Sequence, residues 1–188
     1  MGYLADSYRE LSPMKTDFYQ LTMAQGYFDE GRKDEEATFY MHWRMPPFDG
    51  GYTVAAGLEG VVDFLKNFKF TDERIAYLRS QERDGKRLFS DEFLDYLQKT
   101  PLKLDVQGVP EGTVMTGQGP VIRVTGSLVQ AQLVESAILN IVNSASIVAT
   151  RAARLDEAAK GRPFADFSLR RSPDLSTSVA RSAFIGGA

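Results

Sequence analysis

One long run of helical periodicity, from Ser127 to the stop signal Gly161-Arg-Pro163, constrains the fold more than any other stretch. Ser127 and Gln130 have the spacing of a capping box. Val129, Leu133, Ala137, Ile141, Ala145, Val148 and Ala152 recur on one helical face, and Ile138, Val142 and Ala149 widen that face. The spacing therefore predicts a helix buried on more than one side. Gly161 and Pro163 end it, because glycine accepts the left-handed cap and proline cannot continue the ladder.

The helix runs straight into Phe164-Ala-Asp-Phe-Ser-Leu-Arg-Arg171. Large apolar residues alternate with small or polar ones from Phe164 to Leu169, which predicts a buried strand. Arg170 and Arg171 then stand at its carboxyl end, where parallel sheets and barrels gather their ligands. Two guanidinium forks beside the Phe167 ring suit an anion with a planar group. Taken alone, the same residues fit more simply a buried strand followed by two solvated arginines. The last residues, Ala183-Phe-Ile-Gly-Gly-Ala188, read as a strand meeting a tight loop and suggest the front portion of a longer polypeptide.

Upstream, helices and strands alternate. Thr16 or Asp17 caps a first helix that continues through Leu21, Met23, Ala24 and Tyr27 and stops at Gly31. This puts Tyr19 in the first turn. Ala37, Phe39, Met41 and Trp43 alternate with Thr38, Tyr40, His42 and Arg44 in a strand closed by Pro46-Pro47. Tyr52 to Ala56 is a second short strand. Gly57 opens a helix with Leu58, Val61, Val62, Leu65 and Phe68 inward. Thr71 and Ser90 cap two more, burying Ile75 with Leu78 and Phe93 with Leu94 and Leu97. Residues 102–106, 114–115 and 121–124 form a small β section. The class is α/β, with a first domain over 1–126 and a second beginning at 127–188.

Several function classes are disfavoured. A net charge of −3 and a pI near 5.3 give no basic field for nucleic acid. There is no cysteine and a single His42, so thiolate and His-rich metal sites are excluded. The amino terminus lacks a cationic start and apolar run, and no window approaches the roughly 20 apolar residues of a bilayer span. The expectation is a soluble cytoplasmic protein. No nucleophile elbow or phosphate loop occurs. Arginines are the better lead: Arg151, Arg154, Arg170, Arg171 and Arg181 crowd the last part of the chain, with Arg151 and Arg154 on one helix face. A phosphorylated sugar is a reasonable ligand for them.

Six stretches, in order, carry a resemblance to a known family: Thr16-Asp-Phe-Tyr-Gln-Leu-Thr-Met23, residues 51–59, Gln132-Leu-Val-Glu-Ser-Ala-Ile-Leu-Asn140, Ile147-Val-Ala-Thr-Arg-Ala-Ala-Arg154, Asp166-Phe-Ser-Leu-Arg-Arg171 and Ala180-Arg-Ser-Ala-Phe-Ile-Gly-Gly187. The chain resembles the N-terminal part of nicotinate phosphoribosyltransferase. That family joins nicotinate to phosphoribosyl pyrophosphate, giving nicotinate mononucleotide and pyrophosphate in NAD biosynthesis and salvage, with coupled ATP hydrolysis and Mg2+. The enzyme class is described both as a ligase and as a glycosyltransferase. The resemblance implies an N-terminal α/β domain leading into an irregular α/β barrel of the type II phosphoribosyltransferase kind. It implies a homodimer with shared active sites. Phe167 then resembles the ring that stacks on the pyridine, Tyr19 the second stacking partner supplied by the other subunit, and Arg170 a contact to the nucleotide or phosphoribosyl phosphate. Asp17, Arg171 and Arg181 resemble residues around the substrate. The family's phosphorylated histidine lies downstream of the Gly-Gly pair, so no catalytic residue is expected in this segment, and the 188-residue piece is expected to be inactive by itself.

Two alternatives stand beside this reading. One is a non-catalytic short paralogue that binds a ligand or pairs with a full-length partner. The other is a related nicotinamide or quinolinate phosphoribosyltransferase, since the groups that choose acid over amide are not all in this segment.

Overall fold

The computed structural model of the chain describes residues 12–165, 167 and 176–188. Its elements are α1 (Phe18–Asp29), β1 (Glu36–Met41), β2 (Thr53–Val54), α2 (Leu58–Lys66), α3 (Asp72–Arg79), β3 (Glu82–Arg83), β4 (Lys86–Arg87), α4 (Asp91–Lys99), β5 (Leu104–Gly108), β6 (Val114–Met115), β7 (Ile122–Ser127), α5 (Leu128–Ala159) and α6 (Ser176–Ile185). Strands β1, β7 and β5 form a sheet in that order, and β2 pairs with β6, β3 with β4. The β2–β6 pair is antiparallel, with Thr53 opposite Met115 and Val54 opposite Val114. The predicted α/β class is thus observed.

The chain divides into two compact, interleaved units. Among the described residues, one comprises 12–39, 64–105 and 124–137; the other comprises 40–63, 106–123 and those from 138 onward. The chain passes from one to the other inside β1, α2, β5, β7 and α5.

The first unit has an aromatic-rich core. Leu21 and Ala24 of α1, Ile75 and Leu78 of α3, Phe93, Leu94 and Leu97 of α4, and Val129 and Leu133 of α5 are all buried together. Most of the inward residues predicted for these helices are the observed ones, but Met23 of α1 is exposed. Phe28 meets Phe93 edge-on at 5.6 Å between ring centres, a favoured geometry for ring quadrupoles. Thr71 and Ser90 cap α3 and α4 as expected, their hydroxyls accepting from the Arg74 and Phe93 N–H groups. Gly31, at φ +72°, closes α1 with the paired bonds Gly31 N–H to Phe28 O and Arg32 N–H to Tyr27 O, a Schellman arrangement. The β3–β4 hairpin is an element that hydrophobic periodicity does not mark, although Asp84-Gly85, both at positive φ, is its signal.

The second unit is built on small residues. Val54 and Ala56 pack against Ala145 and Ala149 of α5, with Tyr52, Ala153 and Ile185 alongside. Close approach lets two hydroxyls on α5 reach the backbone of residues 54–56. Ser146 Oγ accepts from the Ala56 N–H at 3.0 Å and donates to the Ala56 carbonyl at 3.1 Å. Thr150 Oγ1 accepts from the Val54 N–H at 2.9 Å and donates to Ser146 O at 2.6 Å. These side chains satisfy backbone groups that would otherwise be buried and unpaired.

Several expectations are corrected. At Gln130 only half of the capping box forms: its N–H donates to Ser127 Oγ at 3.4 Å, while its side-chain amide bonds Pro101 O and Lys103 N–H. Strand β1 stops at Met41, yet the alternation of its burial agrees with the predicted faces. In α2, Val62 is exposed and Phe64 is the buried residue instead. Phe64 follows the fully buried Val61 by three residues and so shares its face, whereas Val62 lies about 100° around the helix. Of the strand predicted over 164–169, residues 164, 165 and 167 are in no regular element, and 166, 168 and 169 lie outside the described residues. The Phe-Ile-Gly-Gly end is the close of helix α6, not a strand. Gly186 N–H bonds Ser182 O and Ala183 O, and Gly187 sits at φ +106°. A Cβ on Gly186 would lie 2.2 Å from Ala149 O, so glycine is required by the approach of this helix end to α5. Finally, α5 is long and apolar enough to cross a membrane by length and composition, contrary to the sequence expectation, but half of its most apolar stretch is buried. Ala, Ser and Asn dilute its apolar run without adding charge, so counting uninterrupted apolar residues overlooks it.

Candidate functional site

The start of α1 gathers the chemistry of the first unit. Asp17 occupies the N-cap position with extended backbone, yet its side chain makes no cap bond. Its carboxylate instead accepts from Ser136 Oγ at 2.8 Å, and its own N–H donates to the same oxygen at 3.2 Å. The expected cap is diverted because α5 presents a hydroxyl within reach. One turn along, Gln20 is fully buried. Its Nε2 donates to the Tyr19 hydroxyl at 2.9 Å and to Glu135 Oε2 at 3.0 Å. Tyr19 itself is 52% exposed, so its ring is open on one side. Partial burial, with the carboxylates of Glu135 and Asp17 nearby, raises the phenol above its ordinary pKa and keeps it protonated near neutrality. Asp17 and Tyr19 are therefore brought together, and Gln20, Glu135 and Ser136 are partners that the sequence does not single out. The stretch from Gln132 to Asn140 is visible as a motif, but which of its side chains face α1 is not.

The second unit holds Arg181, Phe167 and the helix arginines. Arg181 lies on α6 with its guanidinium between two carboxylates, 2.5 Å from Glu111 Oε2 and 2.5 Å from Glu59 Oε2. Glu111 Oε1 also accepts from the Gly57 N–H at 2.6 Å, just before α2. Burial pushes the Glu111 carboxyl upward, but Arg181 and the Gly57 N–H outweigh it and hold the group below its usual value. Phe167 is 77% exposed and outside regular structure. Asp166, Arg170 and Arg171 lie outside the described residues.

The paired-arginine lead on α5 is corrected. Arg154 is already engaged: it donates to Pro47 O and Phe48 O at 3.1 Å each, and lies 5.3 Å over the rings of both Phe48 and Tyr52. A guanidinium so occupied joins a loop to its helix and is not a vacant anion fork. Arg151 is exposed on the same helix.

Residues 14–143 match the family model described as the nicotinate phosphoribosyltransferase N-terminal domain. The chain belongs to the nicotinate phosphoribosyltransferase family. Its similarity to relatives extends past that match. Nicotinate phosphoribosyltransferase pncB2 of Mycobacterium tuberculosis is 41% identical over 175 residues, covering 92% of this chain and 36% of the relative. Nicotinate phosphoribosyltransferase of Bacillus subtilis is 37% identical over 176 residues, covering 93% and 35%. The crystal structure of human nicotinic acid phosphoribosyltransferase superimposes with a TM-score of 0.80 at 34% identity, over 92% of this chain and 34% of that one. The chain thus spans about a third of the length of these family members. The family expected from the motifs is the one found, and so is the fold.

Proposed function

We propose that this chain supplies the N-terminal part of a nicotinate phosphoribosyltransferase. The match of residues 14–143 to that family's N-terminal domain carries the reading. In the reaction, the pyridine nitrogen of nicotinate forms a bond to the anomeric carbon of phosphoribosyl pyrophosphate. The bond from that carbon to the pyrophosphate oxygen breaks, and pyrophosphate leaves with the electron pair. Such a step gains most from positioning and from fixed charges around the leaving group.

In this reading Tyr19 and Phe167 stack on the pyridine. Both rings are open to solvent in this chain, at 52% and 77% exposure. Tyr19 comes from the other subunit of a homodimer with shared sites. Arg170 contacts the phosphoribosyl phosphate, with Asp17, Arg171 and Arg181 around the substrate. The segment from 127–188 is read as the start of the barrel domain. ATP is a co-substrate of the complete enzyme. Mg2+ is read as an ion of that enzyme; among the described residues no cluster of three or more His, Cys, Asp or Glu side chains fits it. A soluble, cytoplasmic location accords with this chemistry. Nicotinate rather than nicotinamide or quinolinate is favoured by the relatives' shared description.

The test is direct. The complete product of the gene is incubated with nicotinate, phosphoribosyl pyrophosphate, ATP and Mg2+, and nicotinate mononucleotide is measured. Formation of that product is expected, with residues 1–188 alone inactive. Preference for nicotinamide or quinolinate would overturn the substrate assignment, and no turnover of any of the three would favour a non-catalytic paralogue.

A further inference from the structure

Tyr19, Gln20 and Glu135 form a chain in which each hydrogen's direction can be deduced. Glu135, as a carboxylate, only accepts. It therefore fixes which way the buried Gln20 amide points: the nitrogen faces Glu135, at 3.0 Å. The second hydrogen of that nitrogen goes to the Tyr19 hydroxyl, at 2.9 Å. Both amide hydrogens are then used, and the Tyr19 oxygen is an acceptor toward the protein. Its own hydrogen has no use on that side and is directed away from Gln20, on a half-exposed ring. An amide turned the other way would set its oxygen against the Glu135 carboxylate, which costs free energy in a buried place.

We infer that Gln20 and Glu135 are positioning residues that hold the Tyr19 hydroxyl as a hydrogen-bond donor toward a neutral oxygen of the ligand, a sugar hydroxyl or ring oxygen. This rests on the reading of Tyr19 as a ligand contact. Asp17 and Glu135 decide the type of acceptor. Both carboxylates lie near the phenol, so an anionic oxygen placed there would meet like charge, whereas a sugar oxygen would not. The protonated phenol that the arrangement needs is also the form these two carboxylates favour. Stacking and donation use different parts of Tyr19: the ring face takes the planar base and the hydroxyl takes the sugar beside it.

The test uses the complete gene product and steady-state constants for phosphoribosyl pyrophosphate and nicotinate separately. Tyr19→Phe keeps the ring and removes the hydroxyl. It is expected to raise KM for phosphoribosyl pyrophosphate about 5- to 10-fold, the scale of one neutral hydrogen bond, with the nicotinate KM changed less. Gln20→Leu is expected to reproduce this in the wild-type background and to add nothing when combined with Tyr19→Phe. Glu135→Gln, which replaces an acceptor-only group by one that can also donate and so no longer fixes the direction of the Gln20 amide, should give a smaller change in the same direction. It also serves as the probe if Gln20→Leu does not fold. Additive losses from Gln20→Leu in the Tyr19→Phe background would mean that Gln20 acts on packing, and would overturn the inference. An effect of Tyr19→Phe confined to nicotinate would overturn the sugar assignment. Tyr19→Ala separates this from the parent reading: if it is harmful while Tyr19→Phe is silent, the ring contact stands and the donor role falls; if both are silent, Tyr19 is no ligand contact at all.

Discussion

Arg181 and Glu111, seventy residues apart in sequence, meet at 2.5 Å, and the same carboxylate reaches the Gly57 N–H at 2.6 Å. One side chain thus joins the last helix to the approach to α2. Replacing Arg181 by Met removes this bond and the ion pair to Glu59. Solvent screens both Arg181 and Glu59, so the expected loss is about 1 kcal/mol in chemical denaturation. A loss of several kcal/mol would mean that the arginine's packing, not its charge, is what matters.

The Glu111 carboxyl is held below its ordinary pKa in the folded chain. A group depressed by folding stabilises the protein above its unfolded pKa, and that contribution fades as pH falls through the folded value. Melting temperature should therefore drop on acidification through and below the usual carboxylate range. Glu111→Gln should flatten part of that drop. Identical pH profiles for the two proteins would remove Glu111 from the account.

Asp91 gives a sharper reading of the same physics. Hydrogen bonds from Arg87 and Arg79 hold it at about 2. Carboxyl-detected NMR should show this titration midpoint, and Arg87→Met should move it back toward the ordinary range. The stabilisation it lends is complete above the ordinary carboxylate pKa and is lost as pH falls toward 2. An ordinary midpoint in the unmodified chain would show that solvent competes successfully with both arginines.

Ser146→Ala leaves the Ala56 N–H and carbonyl without their side-chain partner. The site is fully buried, so water cannot readily replace the hydroxyl. Destabilisation of about 2–4 kcal/mol is expected from two stranded backbone groups. Faster amide exchange at Ala56 should accompany it; unchanged exchange there would mean that another partner takes over.

Two glycines should respond in opposite directions to alanine. At Gly186 a Cβ would meet Ala149 O at 2.2 Å and Ala152 Cβ at 2.7 Å. The backbone oxygen cannot rotate away, so α6 should lift from α5 at a cost of about 2 kcal/mol or more, seen as faster amide exchange over residues 178–185. At Gly26, inside α1, nothing lies within 4 Å of the added carbon. Gly26→Ala should stabilise by about 0.5–1 kcal/mol. A Gly186→Ala protein as stable as its parent would rule out the close helix contact.

Local signals are legible wherever one element decides its own fate. Ser90 and Thr71 read as caps because a cap needs only a hydroxyl and the turn after it. The buried side of α4 follows from its period. The ordered motifs also point to the family, since they are a property of the string itself. Asp17 fails as a predicted cap for the opposite reason: its partner, Ser136, comes from more than a hundred residues away. The end of α6 misleads for a third reason, because Ala183-Phe-Ile is too short a run to separate the period of a strand from that of a helix.

The sequence by itself determined the order of the elements from α1 to α5 apart from the β3–β4 hairpin, the caps of α3 and α4, the buried faces of most helices and the family resemblance, because each depends on neighbours within one or two turns. Only the tertiary structure decided that Ser146 and Thr150 pair with the backbone of residues 54–56, that Arg154 lies over the Phe48 and Tyr52 rings, that Gly186 must lack a side chain, and that Glu135 aims the Gln20 amide at Tyr19. Each is a contact between segments far apart in the chain. Hydrogen-bond direction and close packing depend on distances of a few tenths of an ångström, and sequence spacing carries no such information once the partner lies on another element.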